Sequence, residues 1–219
     1  MQINPKNAKA YKNRAETYVR KGQYDSAIAD YTRLVEIDPK DATAYTNRGV
    51  LYYLKQQFDK AILDHSKALE ISPKDASVYN NRGVAYHARQ QYDRAIVDYV
   101  KAIELDPYDV KAYINRGEAY AKLLQYDLAI ADFTRVIEIN PNDESAYNRR
   151  GLSHDSRGRY DQAIADFTKA LEINPKYEDA YNNREVTYIR SGRYDKAIAD
   201  TLEELYPSKN QLNELWQTS

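Results

Sequence analysis

Six prolines fix the frame of this chain. Pro5, Pro39, Pro73, Pro107, Pro141 and Pro175 stand 34 residues apart. A constant period of this length marks an array in which one supersecondary unit stacks on copies of itself. Aligned on the prolines, six units begin at Ala8, Ala42, Ala76, Val110, Glu144 and Glu178. Positions are numbered 1 to 34 within each unit, which places proline at position 32. Position 4 is tyrosine in every unit, from Tyr11 to Tyr181, and position 20 is alanine, from Ala27 to Ala197. Position 17 is aromatic throughout, and position 8 is small until Glu185 breaks the rule in the last unit. All seven glycines fall at position 8 or 15, so the composition follows from the repeat.

Each unit reads as two helices. Positions 2 to 14 lack proline and carry apolar or small residues at 4, 8 and 11, which is helical spacing. A three-residue turn follows, and Gly22, Gly158 and Gly192 stand where a helix ends in a left-handed residue. Asp25, Asp59, Asp93, Asp127, Asp161 and Asp195 open the second helix, where a carboxylate offsets the positive end of the dipole. Proline at 32 pushes its predecessor out of helical geometry and ends that helix. Asp41, Asp75, Asp109 and Asp143 then stand as N-caps of the next unit.

The run Y-x-x-R-G-x-x-Y, then Y-D-x-A-I-x-D-[YF], then P, over residues 8–207, resembles the tetratricopeptide repeat family. The resemblance implies an all-α fold, a right-handed α-solenoid (superhelix) of stacked antiparallel helix pairs, acting as a protein–protein interaction scaffold. Position 7 departs from the family's usual leucine: it is arginine in all six units (Arg14, Arg48, Arg82, Arg116, Arg150, Arg184), and position 23 is aspartate in all six, from Asp30 to Asp200. A guanidinium in a partly buried seam needs a carboxylate partner, so the two columns are expected to pair and to lie outside any binding site. His65 and His154 replace core aromatics and are expected to be packed imidazoles.

Composition excludes several functions. Without cysteine there is no disulfide framework, thiol nucleophile or thiolate metal site. The formal charge of −1 argues against a nucleic-acid binder. No apolar run approaches the ~18 residues of a membrane-spanning helix, and the first residues lack a signal peptide's apolar core. A soluble chain, cytoplasmic by default and without membrane insertion, is the expectation. No P-loop, H-E-x-x-H or G-x-S-x-G motif is present, so neither enzymatic activity nor a cofactor or metal is expected.

In the resembled family the first helices line the concave wall, with positions 2, 5, 6, 9, 12 and 13 turned inward. Position 6 is Asn13, Asn47, Asn81, Asn115 and Asn183, with Arg149 the exception. An amide offers one acceptor and two donors, matching the main chain of an extended peptide. Asparagine is a poor helix former, so its recurrence mid-helix asks for a reason. The column looks like the asparagine ladder of the O-linked N-acetylglucosamine transferase family. The alternatives are solvated surface asparagines, or repeat duplication alone. Around the ladder stand Lys12, Val50, Tyr53, Val84, His87 and Lys111, giving side-chain anchors between basic flanks. Seven basic and four acidic residues occupy the inward positions, which leans towards a ligand of acidic character. The carboxylate clamp by which some relatives hold chaperone tails is incomplete: Lys12 and Asn47 fit, but Glu16, Ser77 and Asn81 do not, and a second register fails likewise.

Residues 1–7 repeat the tail of a unit, as if a preceding repeat were truncated, and residues 8–207 hold the six units. Residues 208–219 read as a capping helix or a tail, with Ser208 and Gln211 as a capping box and Leu212, Leu215 and Trp216 as its apolar face. The favoured function is a non-catalytic scaffold gripping an extended peptide or partner segment. Its rivals are a self-associating assembly scaffold, a homo-oligomer through the open terminal repeat, and a substrate-recruiting arm of a larger protein.

Overall fold

The computed structural model describes residues 7–205, and the expectations for the tail of a preceding repeat and for 208–219 lie outside them. The described residues form twelve α-helices and no strand. They are α1 (Ala8–Arg20), α2 (Tyr24–Ile37), α3 (Ala42–Leu54), α4 (Phe58–Ile71), α5 (Ala76–Ala88), α6 (Tyr92–Leu105), α7 (Val110–Lys122), α8 (Tyr126–Ile139), α9 (Glu144–Ser156), α10 (Tyr160–Ile173), α11 (Glu178–Arg190) and α12 (Tyr194–Leu205). The first helix of each unit begins 34 residues after the last, as the prolines require.

The punctuation is chemical. Asp41 accepts from the Ala44 N–H at 2.9 Å, Asp109 from Ala112 at 3.1 Å and Asp143 from Ala146 at 2.9 Å, satisfying orphan donors at the starts of α3, α7 and α9. Asp38, Asp106, Asn140 and Asn174, which end α2, α6, α8 and α10, are extended at φ near −130° because proline follows each. Between the helices of a pair one residue is left-handed. It is glycine at Gly22, Gly158 and Gly192, but Gln56 (φ 57°), Gln90 (58°) and Leu124 (60°) occupy the same conformation elsewhere.

The chain forms two compact units, one ending at Ala119 and the other starting at Tyr120. Each is a run of α-solenoid. In the first, α1/α2, α3/α4 and α5/α6 pair as hairpins, with α2 packed on α3 and α4 on α5. In the second, α9/α10 and α11/α12 pair, α8 packs on α9 and α10 on α11. The close approach within a pair runs through position 8. A Cβ added to Gly83 would lie 2.6 Å from the Tyr99 ring, and one on Gly151 2.6 Å from the Phe167 ring. Gly49 is filled in the same way by His65, which is 1% exposed. Unit six shows the converse: Glu185 replaces the small residue, and position 24 opposite it shrinks to Thr201.

Arginine and aspartate pair as expected in the hairpins α1/α2, α3/α4, α5/α6, α9/α10 and α11/α12. Arg82 donates to Asp98 through Nε (2.8 Å) and Nη2 (2.7 Å), and Arg150 to Asp166 at 2.9 and 2.7 Å. Arg14–Asp30, Arg48–Asp64 and Arg184–Asp200 repeat the fork. The remaining Nη1 reaches back to the preceding repeat: Arg48 donates to Thr32 (3.1 Å), Arg82 to Ser66 (3.1 Å), Arg150 to Thr134 (3.1 Å) and Arg184 to Thr168 (3.0 Å). Each guanidinium also lies 5.4–5.7 Å from the position-4 tyrosine ring of its own helix. Arginine at position 7 therefore ties one hairpin together and clips it to its neighbour. The hydrogen bonds to aspartate push these guanidinium pKa values up against the opposing effect of burial.

Candidate functional site

Residues at positions 5, 6, 9, 12 and 13 fall on one stripe of each first helix, the stripe left open once positions 4, 8 and 11 pack against the second helix. The ladder lies on that stripe. Asn13 is exposed on α1; Asn47, Asn81 and Asn115 are half-buried on α3, α5 and α7. In the second unit Arg149 and Asn183 are half-buried on α9 and α11. Lys12 and Lys111 are exposed, whereas Val50, Tyr53, Val84 and His87 are half-buried.

Two clefts in the first unit bring some of these together. One, of about 340 Å³, gathers Asn47 and Val50 with Glu16, Val19, Arg20, Tyr31 and Leu51. Another, of about 420 Å³, gathers Asn81 and Lys111 with Ser77, Asn80, Tyr108, Asp109 and Val110. Asn13, Lys12, Tyr53, Val84, His87 and Asn115 line neither of these two. Tyr53 and His87 are held by aromatic neighbours instead: the Tyr53 ring lies 5.6 Å from Phe58, and His87 lies 5.1 Å from Tyr92.

Several residues at the site lie outside the sequence-predicted set. Tyr31 sits at position 24, a core column, and its ring is 3% exposed, yet it lines the Asn47 cleft. Burial first, and then the nearby Glu16 charge, raises its pKa, while a hydrogen bond with Asn47 opposes them. In the second unit Leu152 (42% exposed), Val186 (50%) and Ile189 (45%) present apolar surface at positions 9 and 12. The signal was available, because Val50, Val84, Tyr53 and His87 hold those same positions. Asp155, at position 12, is buried and bound: Thr187 donates to it at 3.0 Å and Arg190 forms an ion pair with it. That pair cancels one acidic and one basic charge of the inward count.

The ladder amides themselves are partly engaged. Asn115 donates through Nδ2 to Asn80 Oδ1 at 2.9 Å, and Asn183 to Asn148 Oδ1 at 2.9 Å. Arg149 donates to Ser145 Oγ on its own helix. His65 and His154 are buried, with Nδ1 of each unpartnered. Burial lowers the pKa of both, that of His65 to about 4. Among the described residues no group of three or more His, Cys, Asp or Glu could hold a metal ion, and no helix is long and apolar enough to cross a membrane.

Comparison with known proteins places this geometry. Residues 15–56, 51–89 and 83–123 match a sequence profile described as TPR repeat, and residues 110–143 and 145–177 match one described as Tetratricopeptide repeat. The chain matches no curated protein by sequence. Among solved structures it is similar to MamA, with 27% identity and a TM-score of 0.73 over 77% of this chain and 92% of that one. It is also similar to YrrB, described as a TPR protein with an unusual peptide-binding site, with 25% identity and a TM-score of 0.72 over 83% of this chain and 94% of that one. PilF of Pseudomonas aeruginosa shares the fold at 19% identity, with a TM-score of 0.73 over 97% of both chains.

Proposed function

Since the chain belongs to the tetratricopeptide repeat family, and is a protein–protein interaction scaffold on that account, we propose that it grips an extended peptide or partner segment through the position-6 asparagines of its first helices. One observation carries the reading: Asn47 and Asn81, one repeat apart, each line an open cleft on the first-helix stripe. The clefts differ in the rest of their lining, but the amide that opens onto each recurs with the repeat, and a periodic row of amides suits a ligand that is itself periodic, as an extended main chain is. Val19, Val50 and Leu51 beside Asn47 offer apolar contact to a side chain, while the main chain meets amides. Lys111 beside Asn81, with Lys12 exposed on α1, supports a ligand of acidic character. In YrrB a peptide-binding site occurs on the same kind of scaffold. No catalytic step is part of the proposal.

The test is selection of a randomised dodecapeptide display library on the immobilised chain, followed by affinity measurement with the Asn47→Ala, Asn81→Ala, Asn115→Ala triple variant. Each lost amide contact costs about 1 kcal/mol. Affinity is therefore expected to fall about a hundredfold while the helical circular dichroism is unchanged and melting, lowered by the lost Asn115–Asn80 bond, stays cooperative. Selected peptides that bind the folded triple variant at full strength would remove the proposal.

A further inference from the structure

We infer that the asparagine ladder has a fixed polarity: at Asn47, Asn115 and Asn183 an amide N–H is tied back into the protein, the carbonyl oxygen is the group offered outward, and a bound segment must present main-chain N–H donors to it, which excludes proline at those sites. This rests on the proposed peptide-binding reading and names what such a peptide must carry. The positioning residues are Asn80, Asn148 and Tyr31.

Asn80 and Asn148 both occupy position 5, and each accepts from the position-6 amide of the following repeat. Both are buried, so the acceptor is fixed by its surroundings and not by solvent. Asn148 is itself oriented, because its Nδ2 donates to the Tyr177 hydroxyl at 3.5 Å, which leaves its oxygen to face Asn183. Position 5 before Asn47 is Lys12, which supplies no acceptor; here the buried Tyr31 lines the same cleft as Asn47, and its hydrogen bond with Asn47 lowers the phenol pKa, as an N–H donated to the phenol oxygen does. The two routes reach one result, an amide whose nitrogen points into the protein.

Other rungs differ in a way that sharpens the claim. Position 5 before Asn81 is Thr46, whose hydroxyl donates to the Ala42 carbonyl of its own helix at 2.9 Å. The Asn81 amide has no hydrogen-bond partner among the described residues, so it can turn either its N–H or its oxygen outward. Arg149 is a donor only. Within the first unit the ladder is thus a fixed acceptor at Asn47, a rotatable amide at Asn81 and a fixed acceptor at Asn115. Neighbouring helices pack about 8–10 Å apart and an extended chain advances about 3.3 Å per residue. The two fixed acceptors, two repeats apart, therefore meet ligand residues about five to six apart.

Ester scanning of the peptides selected above tests this, since replacing a main-chain amide by an ester deletes one N–H and keeps the carbonyl. Two positions about five to six residues apart should each lose about fivefold to tenfold in affinity. The loss at one of them should vanish in Asn115→Ala. Asn80→Leu should weaken the all-amide peptide about fivefold and narrow its gap to the ester at that position. Asn80→Asp, which still accepts from Asn115, should keep both. A purely structural role for Asn80 would change stability and leave the amide–ester gap intact. If esters are tolerated everywhere while the triple asparagine variant still abolishes binding, the polarity is wrong and the peptide-binding reading stands. If the triple variant binds fully, or no peptide is enriched over it, both fall. Thr46→Asn supplies an independent check that does not depend on removing a contact: it should fix Asn81 and create a third ester-sensitive position between the other two.

Discussion

The two units of the chain share one packing scheme and fill it with different chemistry. At position 24 the first unit carries Tyr31, His65 and Tyr99, whereas the second carries Phe133, Phe167 and, opposite Glu185, Thr201. The steric arrangement is the same: Tyr99 meets Gly83, and Phe167 meets Gly151, with an added Cβ 2.6 Å from either ring. A ring that crosses beneath the first helix fills the space either way, so packing alone does not choose between phenol, imidazole and benzene. What differs is the polar atom at the ring's far end. In the first unit one such atom, the Tyr31 hydroxyl, reaches the Asn47 cleft. The second unit turns exposed Leu152, Val186 and Ile189 outward on the corresponding stripe, and there the buried Asp155 is held by the buried Thr187 and the exposed Arg190. A repeat array can thus hold its backbone constant and vary its surface from one end to the other.

If that is right, what both units hold in common should fail equally in both. Asp98 and Asp166 each receive a two-pronged hydrogen bond from an arginine and are almost fully buried. Asp98→Ala and Asp166→Ala each strand a partly buried guanidinium, at a cost of about 3–5 kcal/mol. Equal losses of melting stability are expected, with hydrogen exchange rising most in the mutated hairpin and its immediate neighbours, since each repeat touches only those. A loss confined to one unit would break the idea of a common scaffold.

His65 should separate the units by pH. Its imidazole is packed against Gly49, near the charged Arg82, and its pKa is lowered from 6.5 to about 4. A histidine whose folded pKa lies below its unfolded value gives stability that is complete above pH about 6.5 and is lost as pH falls towards 4. The full loss is about 3 kcal/mol. In the second unit, burial also lowers the pKa of His154, but Asp166 Oδ2 lies 3.9 Å away and favours the charged form, so its contribution is smaller. Acid melting between pH 7 and 4 should therefore begin in the first unit. His65→Phe, which copies Phe167, should remove the larger part of that slope.

Much of the architecture could be read from the sequence because it rests on single residues with single consequences. Proline at 32 ends a helix, aspartate caps the next, and a small residue at 8 admits a ring. The arginine–aspartate pairing followed from charge and burial alone. The candidate site was less legible. Position 6 told where amides would stand but not which atom of each faces outward, because that depends on position 5 of another repeat, at Asn80 and Asn148, or on a ring from a second helix, at Tyr31. Tyr31 was hidden by its own column: a residue can be core by its ring and surface by its hydroxyl. Leu152, Val186 and Ile189 hold the same positions 9 and 12 as the apolar floor of units two and three, so their signal was in the sequence.

The smallest effect is also the cleanest, because it involves no packing at all. The turn between the helices of a pair needs one left-handed residue, and the chain supplies glycine at Gly22, Gly158 and Gly192 but side-chain-bearing residues at Gln56, Gln90 and Leu124. A Cβ built on Gly158 meets nothing within 4 Å, so Gly158→Ala tests the backbone conformation alone. An L-residue there costs about 1 kcal/mol over glycine. Gly158→Ala in the second unit should lower stability by that amount, and Gln90→Gly in the first should raise it by slightly less, since glycine also gains freedom in the unfolded chain. Chemical denaturation with an unchanged m-value would read both. Opposite shifts of similar size would mean that the two units use this turn interchangeably. A Gln90→Gly variant no more stable than the parent would mean that the glutamine side chain makes a contact worth the strain of its own backbone, and the turns would join position 24 as a place where the units differ.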